Sequence, residues 1–165
     1  SDWSSDVCSS DLPLHARHLI KEGYLTLARI SVTLGIEQAL AAGRGIILHT
    51  SRGPADQRIL RGKKTRAEAG AKLGAALALV LEDLLGTTKL RRAVVCGGDT
   101  SMHVARALGI KALEYLGPMA PGSPLCKVHA PGRVADGCEI VFKGGQVGRD
   151  SFFLDVLNGG PTTDH

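Results

Sequence analysis

Aromatic side chains make up only 4% of the chain: three Phe, two Tyr and one Trp. None is set among the basic residues Arg58, Arg61, Lys63, Lys64 and Arg66, so the stacking platforms that nucleic acid needs are missing. That basic stretch reads first as a solvated loop or helix start, and behind that as a phosphate or nucleic-acid contact. Long apolar runs are lacking too. The longest, Ala75 to Leu81, is far too short to cross a bilayer, and the first residues have neither the basic start nor the apolar middle of a signal peptide. The cysteines, Cys8, Cys96, Cys126 and Cys138, form no C-x-x-C pair, and three of them stand in apolar runs. The expectation is a reduced, cytoplasmic protein without structural zinc, with no membrane or nucleic-acid partner.

Several catalytic motifs are missing as well. Gly62-Lys63-Lys64-Thr65 has neither the upstream glycine nor the register of a G-x-x-x-x-G-K-[ST] loop. No G-x-G-x-x-G follows a strand, and no G-x-S-x-G elbow supplies a hydrolase nucleophile. His15 and His18 share a helical face with no further ligands spaced near them, and read as surface residues rather than a metal site. His103 reads as a packing or surface residue ahead of a proton carrier, and nothing selects His49.

What the chain has in plenty is glycine, 21 residues clustered as Gly43/Gly45, Gly97-Gly98 and Gly144-Gly145. Such clusters mark turns where the backbone comes close to something. With 165 residues, 44% hydrophobic and a formal net charge of +4, the composition is that of one globular domain.

The pattern predicts a helix ending at Glu22 before Gly23, then a short alternating strand at Tyr24-Leu25-Thr26-Leu27. A helix capped by Ser31 and stopped by Gly43 follows. Gly45 to Thr50 reads as a buried parallel strand that delivers Thr50 and Ser51 to its carboxyl end. Leu73, Leu77, Val80/Leu81 and Leu84 recur at helical spacing within a helix over residues 65–85. Arg92 to Cys96 is a second buried strand, and Met102 to Leu108 a helix stopped by Gly109. Strands follow at Ala112–Leu116, Leu125–His129 and Glu139–Phe142, then a last helix over Ser151–Leu157. Strands alternating with helices predict an α/β layered fold of a single domain: a largely parallel, Rossmann-like sheet flanked by helices.

Two turns carry candidate chemistry. In VVCGGDTS, residues 94–101, a strand runs through Gly97 and Gly98 into Asp99, Thr100 and Ser101 at a helix start. The first N–H groups of a helix lack internal partners and can bind an anion, and glycines let a phosphate come close. The same pattern also fits a turn in which Thr100 or Ser101 merely caps the helix. In FKGGQVG, residues 142–148, a strand again ends in a glycine-rich turn. Lys143 there either neutralises phosphate charge or is a solvated residue leaving the strand. Two such turns at the carboxyl ends of strands strengthen each other, because open α/β sheets bind ligands on that edge.

In their order and spacing, CGGDTSMHVARALGI, APGSPLCKV, DGCEIVFKGGQVG and Phe152-Phe153 resemble the C-terminal domain of four-carbon acid sugar kinases, from about Tyr24 to Leu157. Those enzymes phosphorylate acids such as threonate, erythronate or 3-oxo-tetronate with ATP. The resemblance implies an ATP pocket with Mg2+, in which Gly97, Gly98, Asp99, Thr100 and Ser101 line the phosphates. Gly144, Gly145, Gln146 and Val147 would form the opposite wall, with Ser51 as a further neighbour. Asp99 would orient the magnesium shell or hold the turn. The catalytic base and the sugar-acid site belong to an upstream domain, and self-association as a homo-oligomer stays open.

The family's Ser-rich opening segment, G-S-x-S-x-x-T, has no counterpart here. In its place stands SDWSSDVCSSDL, residues 1–12, a Ser- and Asp-rich string without helical or strand periodicity that resembles a translated sequencing adapter. The expected organisation is a foreign string over 1–12, the nucleotide-binding domain over 13–158 and a frayed tail over 159–165, with the natural protein continuing upstream. On that organisation the polypeptide alone has no kinase activity, since the positioning that phosphoryl transfer requires is half missing. The alternative function is a non-catalytic nucleotide- or phosphate-binding module.

Overall fold

A computed structural model describes residues 9–13, 24–49, 63–144 and 148–160 of the chain. It falls into two compact units, Ser1–Thr88 and Lys89–His165.

The first unit contains β1 (Ser9–Pro13), α1 (Tyr24–Ala41), β2 (Gly45–His49) and α2 (Lys63–Thr87). β1 and β2 pair in parallel, from Ser9 beside Gly45 to Pro13 beside His49. The end of the 1–12 string is therefore extended and paired, although its side chains carry no strand periodicity. A parallel ladder needs only extended backbone beside an available strand, and the apolar run Gly45–His49 supplies that strand.

The strand expected at Tyr24–Leu27 is instead the opening of α1, which continues through Ser31 without a break. Four alternating residues cannot tell a strand from the first turn of a helix. Thr33, Ile36 and Ala39 are buried at helical spacing, and leucine, alanine and arginine upstream extend the helix readily once it has formed. At its far end Gly43 N–H donates to the Leu40 carbonyl at 2.9 Å, and Arg44 N–H to that of Ala39 at 3.0 Å. α2 spans the predicted segment and slightly more. Ala76 on α2 is the centre of a small core with Leu73, Leu77, Val32 of α1 and Leu48 of β2. The helix expected before Gly23 lies outside the described residues.

The second unit is a four-stranded sheet in the order β3 (Arg92–Cys96), β6 (Glu139–Lys143), β5 (Ser123–His129), β4 (Ala112–Ala120). β3 and β6 are parallel, whereas the β5–β6 and β4–β5 ladders are antiparallel. The sheet is mixed, which corrects the largely parallel, Rossmann-like expectation. The reason lies in the connections. Ala120 faces Ser123 across the Pro121-Gly122 turn, and a two-residue link makes an antiparallel hairpin. A parallel pair requires a long crossover. β5 likewise reaches β6 through turns over residues 130–138 rather than a helix. Only β3, separated from β6 by α3 (Gly98–Ala107) and the hairpin, has the length of chain to return in parallel.

α3 lies against β3 and β6, and α4 (Phe152–Asn158) against β4. On one face Met119, Leu125, Val141, Phe152 and Val156 form the core, with Val94 and Phe153 packed on it. Ile140 precedes Val141 and so points to the other face, where it too is fully buried. Both faces of the sheet are therefore covered.

Ile140→Ala should cost about 2–5 kcal/mol in urea unfolding, through lost burial and the cavity left behind. The Ser123 hydroxyl is fully buried with no hydrogen-bond partner, so Ser123→Ala should leave stability unchanged or raise it. A loss with Ser123→Ala comparable to that with Ile140→Ala would contradict this packing.

Candidate functional site

β3 ends at Cys96, which pairs with Lys143, the last residue of β6. Because the strands are parallel, the chain leaves both at the same edge. The Gly97 N–H donates to the Lys143 carbonyl at 2.8 Å, so the first glycine turn starts in direct contact with the strand end that feeds the second.

Gly97 has φ 101 and ψ 130 and is the N-cap of α3. That φ lies where an L-residue's Cβ is strained, which accounts for glycine here. Its carbonyl accepts the Ser101 N–H at 2.8 Å, the first bond of the helix. Geometry then leaves the N–H groups of Gly98, Asp99 and Thr100 without a partner inside the helix. No side chain caps it. The Ser101 hydroxyl turns back to the Val95 carbonyl at 3.3 Å, and Thr100 Oγ1 lies 3.5 Å from where a Gly97 Cβ would stand. The capping alternative raised by the sequence is not what forms. Gly98 and Asp99 are exposed, and Thr100 and Ser101 half-buried. A Cβ on Gly98 would meet nothing within 4 Å, so the chain's own packing does not require glycine at that position.

On the second turn, Gly144 is half-buried directly after β6. Gly145, Gln146, Val147 and Ser51 lie outside the described residues. Gly148 closes FKGGQVG and was not among the candidates the sequence offered. Its φ is 101, and an added Cβ would stand 3.1 Å from both Lys143 Cε and Phe152 Cδ2. The signal was the third glycine of the motif, which is there to make room rather than to bind.

Lys143 lies along this crowded floor. Its ammonium is 5.3 Å from the centroid of the Phe152 ring and donates to the Gly144 carbonyl at 3.1 Å. Burial pushes the Cys96 thiol above its ordinary range, and the Lys143 charge works against that shift. Asp99 is the acidic residue of the first turn of α3, where the helix dipole favours a negative charge. Among the described residues no group of three or more His, Cys, Asp or Glu could hold a metal, and no helix is long and apolar enough to cross a membrane.

The geometry is thus a strand-end pair, with helical N–H groups that have no partner among the described residues after β3, and a lysine at the end of β6, where Gly144 follows. A family model described as the nucleotide-binding C-terminal domain matches residues 9–153, a span that begins inside the 1–12 string. The chain is 39% identical over 135 residues to the 3-oxo-isoapionate kinase of Paraburkholderia graminis, covering 78% of this chain and 29% of that one. It is 31% identical over 135 residues to the 3-oxo-tetronate kinase of Cupriavidus necator, covering 81% of this chain and 30% of the relative. A solved Haemophilus influenzae structure shares the fold with a TM-score of 0.63 at 19% identity, covering 95% of this chain and 35% of that one. The chain belongs to the nucleotide-binding C-terminal domain family of four-carbon acid sugar kinases. It spans less than a third of the length of these two curated relatives.

Gly148→Ala should lower stability by about 1–3 kcal/mol, from the strained φ together with the crowding against Phe152. Thermal melting measures it, and an unchanged melting temperature would mean that the Lys143–Phe152–Gly148 floor is not packed as described.

Proposed function

We propose that this chain supplies the ATP pocket of a kinase that phosphorylates a four-carbon sugar acid of the threonate, erythronate or 3-oxo-tetronate type. The observation that supports this reading is the Gly97 N–H to Lys143 carbonyl bond, which sets the start of the first glycine turn against the strand end that leads into Gly144. The kinase names of the relatives support the reaction class.

In this reading Gly98, Asp99 and Thr100 present backbone N–H groups to phosphate oxygens, reinforced by the positive end of α3. The hydroxyls of Thr100 and Ser101 add donors, and Gly97 sets the turn. By the family pattern Gly144, Gly145, Gln146 and Val147 are assigned to the facing wall. Asp99 suits a Mg2+ ion that arrives with the nucleotide, because magnesium is commonly held by one or two carboxylates together with substrate phosphates. When bound, that ion supplies neutralisation of charge on the transferring phosphoryl group. The residues of this chain bind and orient the triphosphate. The sugar acid, and the base that receives its hydroxyl proton, are assigned to a separate domain, so the 165-residue chain is expected to bind ATP and transfer nothing.

Calorimetry with ATP and Mg2+ tests this. The wild-type chain should give saturable binding, and Gly98→Val should weaken it by about tenfold or more, roughly 1.4 kcal/mol. Its melting temperature should hold, because a Cβ at position 98 meets no atom within 4 Å beyond its chain neighbours and its own helix backbone. Absence of saturable heat in the wild type, or equal affinity in Gly98→Val, would contradict the proposal.

A further inference from the structure

We propose that Lys143 is the cation that reads the nucleotide's phosphates: its ammonium leaves the Gly144 carbonyl for a phosphate oxygen when ATP binds. This inference rests on the ATP-pocket reading above and adds to it a side chain that discriminates the triphosphate from the uncharged nucleoside.

Three observations carry it. The first is position. Lys143 ends β6 beside Cys96, and its own carbonyl anchors Gly97 at 2.8 Å, so it stands where both turns begin. The second is that the side chain is held rather than loose. It is half-buried, its ammonium lies 5.3 Å from the Phe152 ring centroid, and its stem fills the space that Gly148 leaves open, 3.1 Å from where a Cβ would be. Phe152 is itself fixed in the core with Val141 and Met119. Such a platform removes much of the rotamer freedom that a lysine would otherwise lose on binding.

The third observation is charge. Three basic side chains of this unit pair with carboxylates: Arg92 with Glu139, His129 with Glu114 and Arg149 with Asp155. Lys143 has none among the described residues. Its partners are a neutral carbonyl and a ring, and the other charge-sensitive group near it is the Cys96 thiol. A half-buried cation gives up hydration, and neutral partners compensate for that less well than an anion does. An ammonium held in place without an anion among the described residues, on the strand end whose carbonyl anchors the turn that opens α3, fits a polyanion. It does not fit a solvated residue leaving its strand, which would need neither the floor nor the glycine.

The test compares Lys143→Met and Lys143→Arg with the wild-type chain, measuring dissociation constants for ATP with Mg2+, for AMP and for adenosine. Methionine keeps the apolar stem over Phe152 while removing the charge. ATP affinity should fall by about tenfold or more in Lys143→Met, as for loss of a charge-assisted bond. Adenosine affinity should stay within about twofold of wild type, AMP should fall between the two, and Lys143→Arg should recover part of the ATP affinity. Should Lys143→Met fail to fold, Lys143→Gln takes its place with the same expectation. Unchanged ATP affinity, or parallel losses for ATP and adenosine, would overturn the inference while leaving the ATP pocket standing. A wild-type chain that binds no ATP would remove both.

Discussion

A single backbone hydrogen bond, from the Gly97 N–H to the Lys143 carbonyl, holds the candidate site together. It prolongs the β3–β6 ladder past the last paired residues, Cys96 and Lys143. Parallel strands end on the same side, so both turns emerge together. The far end of the same pair is pinned by Arg92. Its guanidinium bonds Glu139 at 2.6 Å and the Val156 carbonyl at 2.6 Å, tying the two strands to each other and to the end of α4. With both ends fixed, the relative height of the two turns is set by the ladder and does not depend on the loops themselves.

The glycines around this bond serve different purposes, and the distinction matters for reading such motifs. Gly97 is demanded by its backbone conformation, and Gly148 by the atoms of Lys143 and Phe152 pressed against it. Gly98 is demanded by neither, since its φ is unexceptional and its surroundings within the chain are open. Glycine at position 98 is thus free to serve whatever approaches the N-terminus of α3. A glycine-rich turn is commonly read as one anion-binding unit, whereas here two glycines maintain the scaffold and a third leaves the approach clear.

Much of the second unit was legible from sequence because its strands are short apolar runs with turn residues at both ends. Arg92–Cys96, Leu125–His129 and Glu139–Phe142 fall within the observed strands. Direction was not legible. Hydrophobic runs look alike whether their neighbours are parallel or antiparallel, and the deciding feature was the length of each connection, above all the Pro121-Gly122 turn. Tyr24–Leu27 misled for a related reason, since alternation over four residues is too brief to outweigh the helical stripe that follows it. In the site, the first turn could be read from VVCGGDTS. The role of Gly148 could not, because its crowding comes from Phe152 and Lys143 folding onto it, a contact with no local signature.

Amide NMR of the chain during titration with ATP and Mg2+ tests the central claim most directly. If the two turns are two sides of one site, the signals of Gly98, Asp99, Thr100 and Gly144 should move along one common saturation curve. Signals from only one turn moving, or the two turns saturating at different concentrations, would show that the shared edge does not form a shared site.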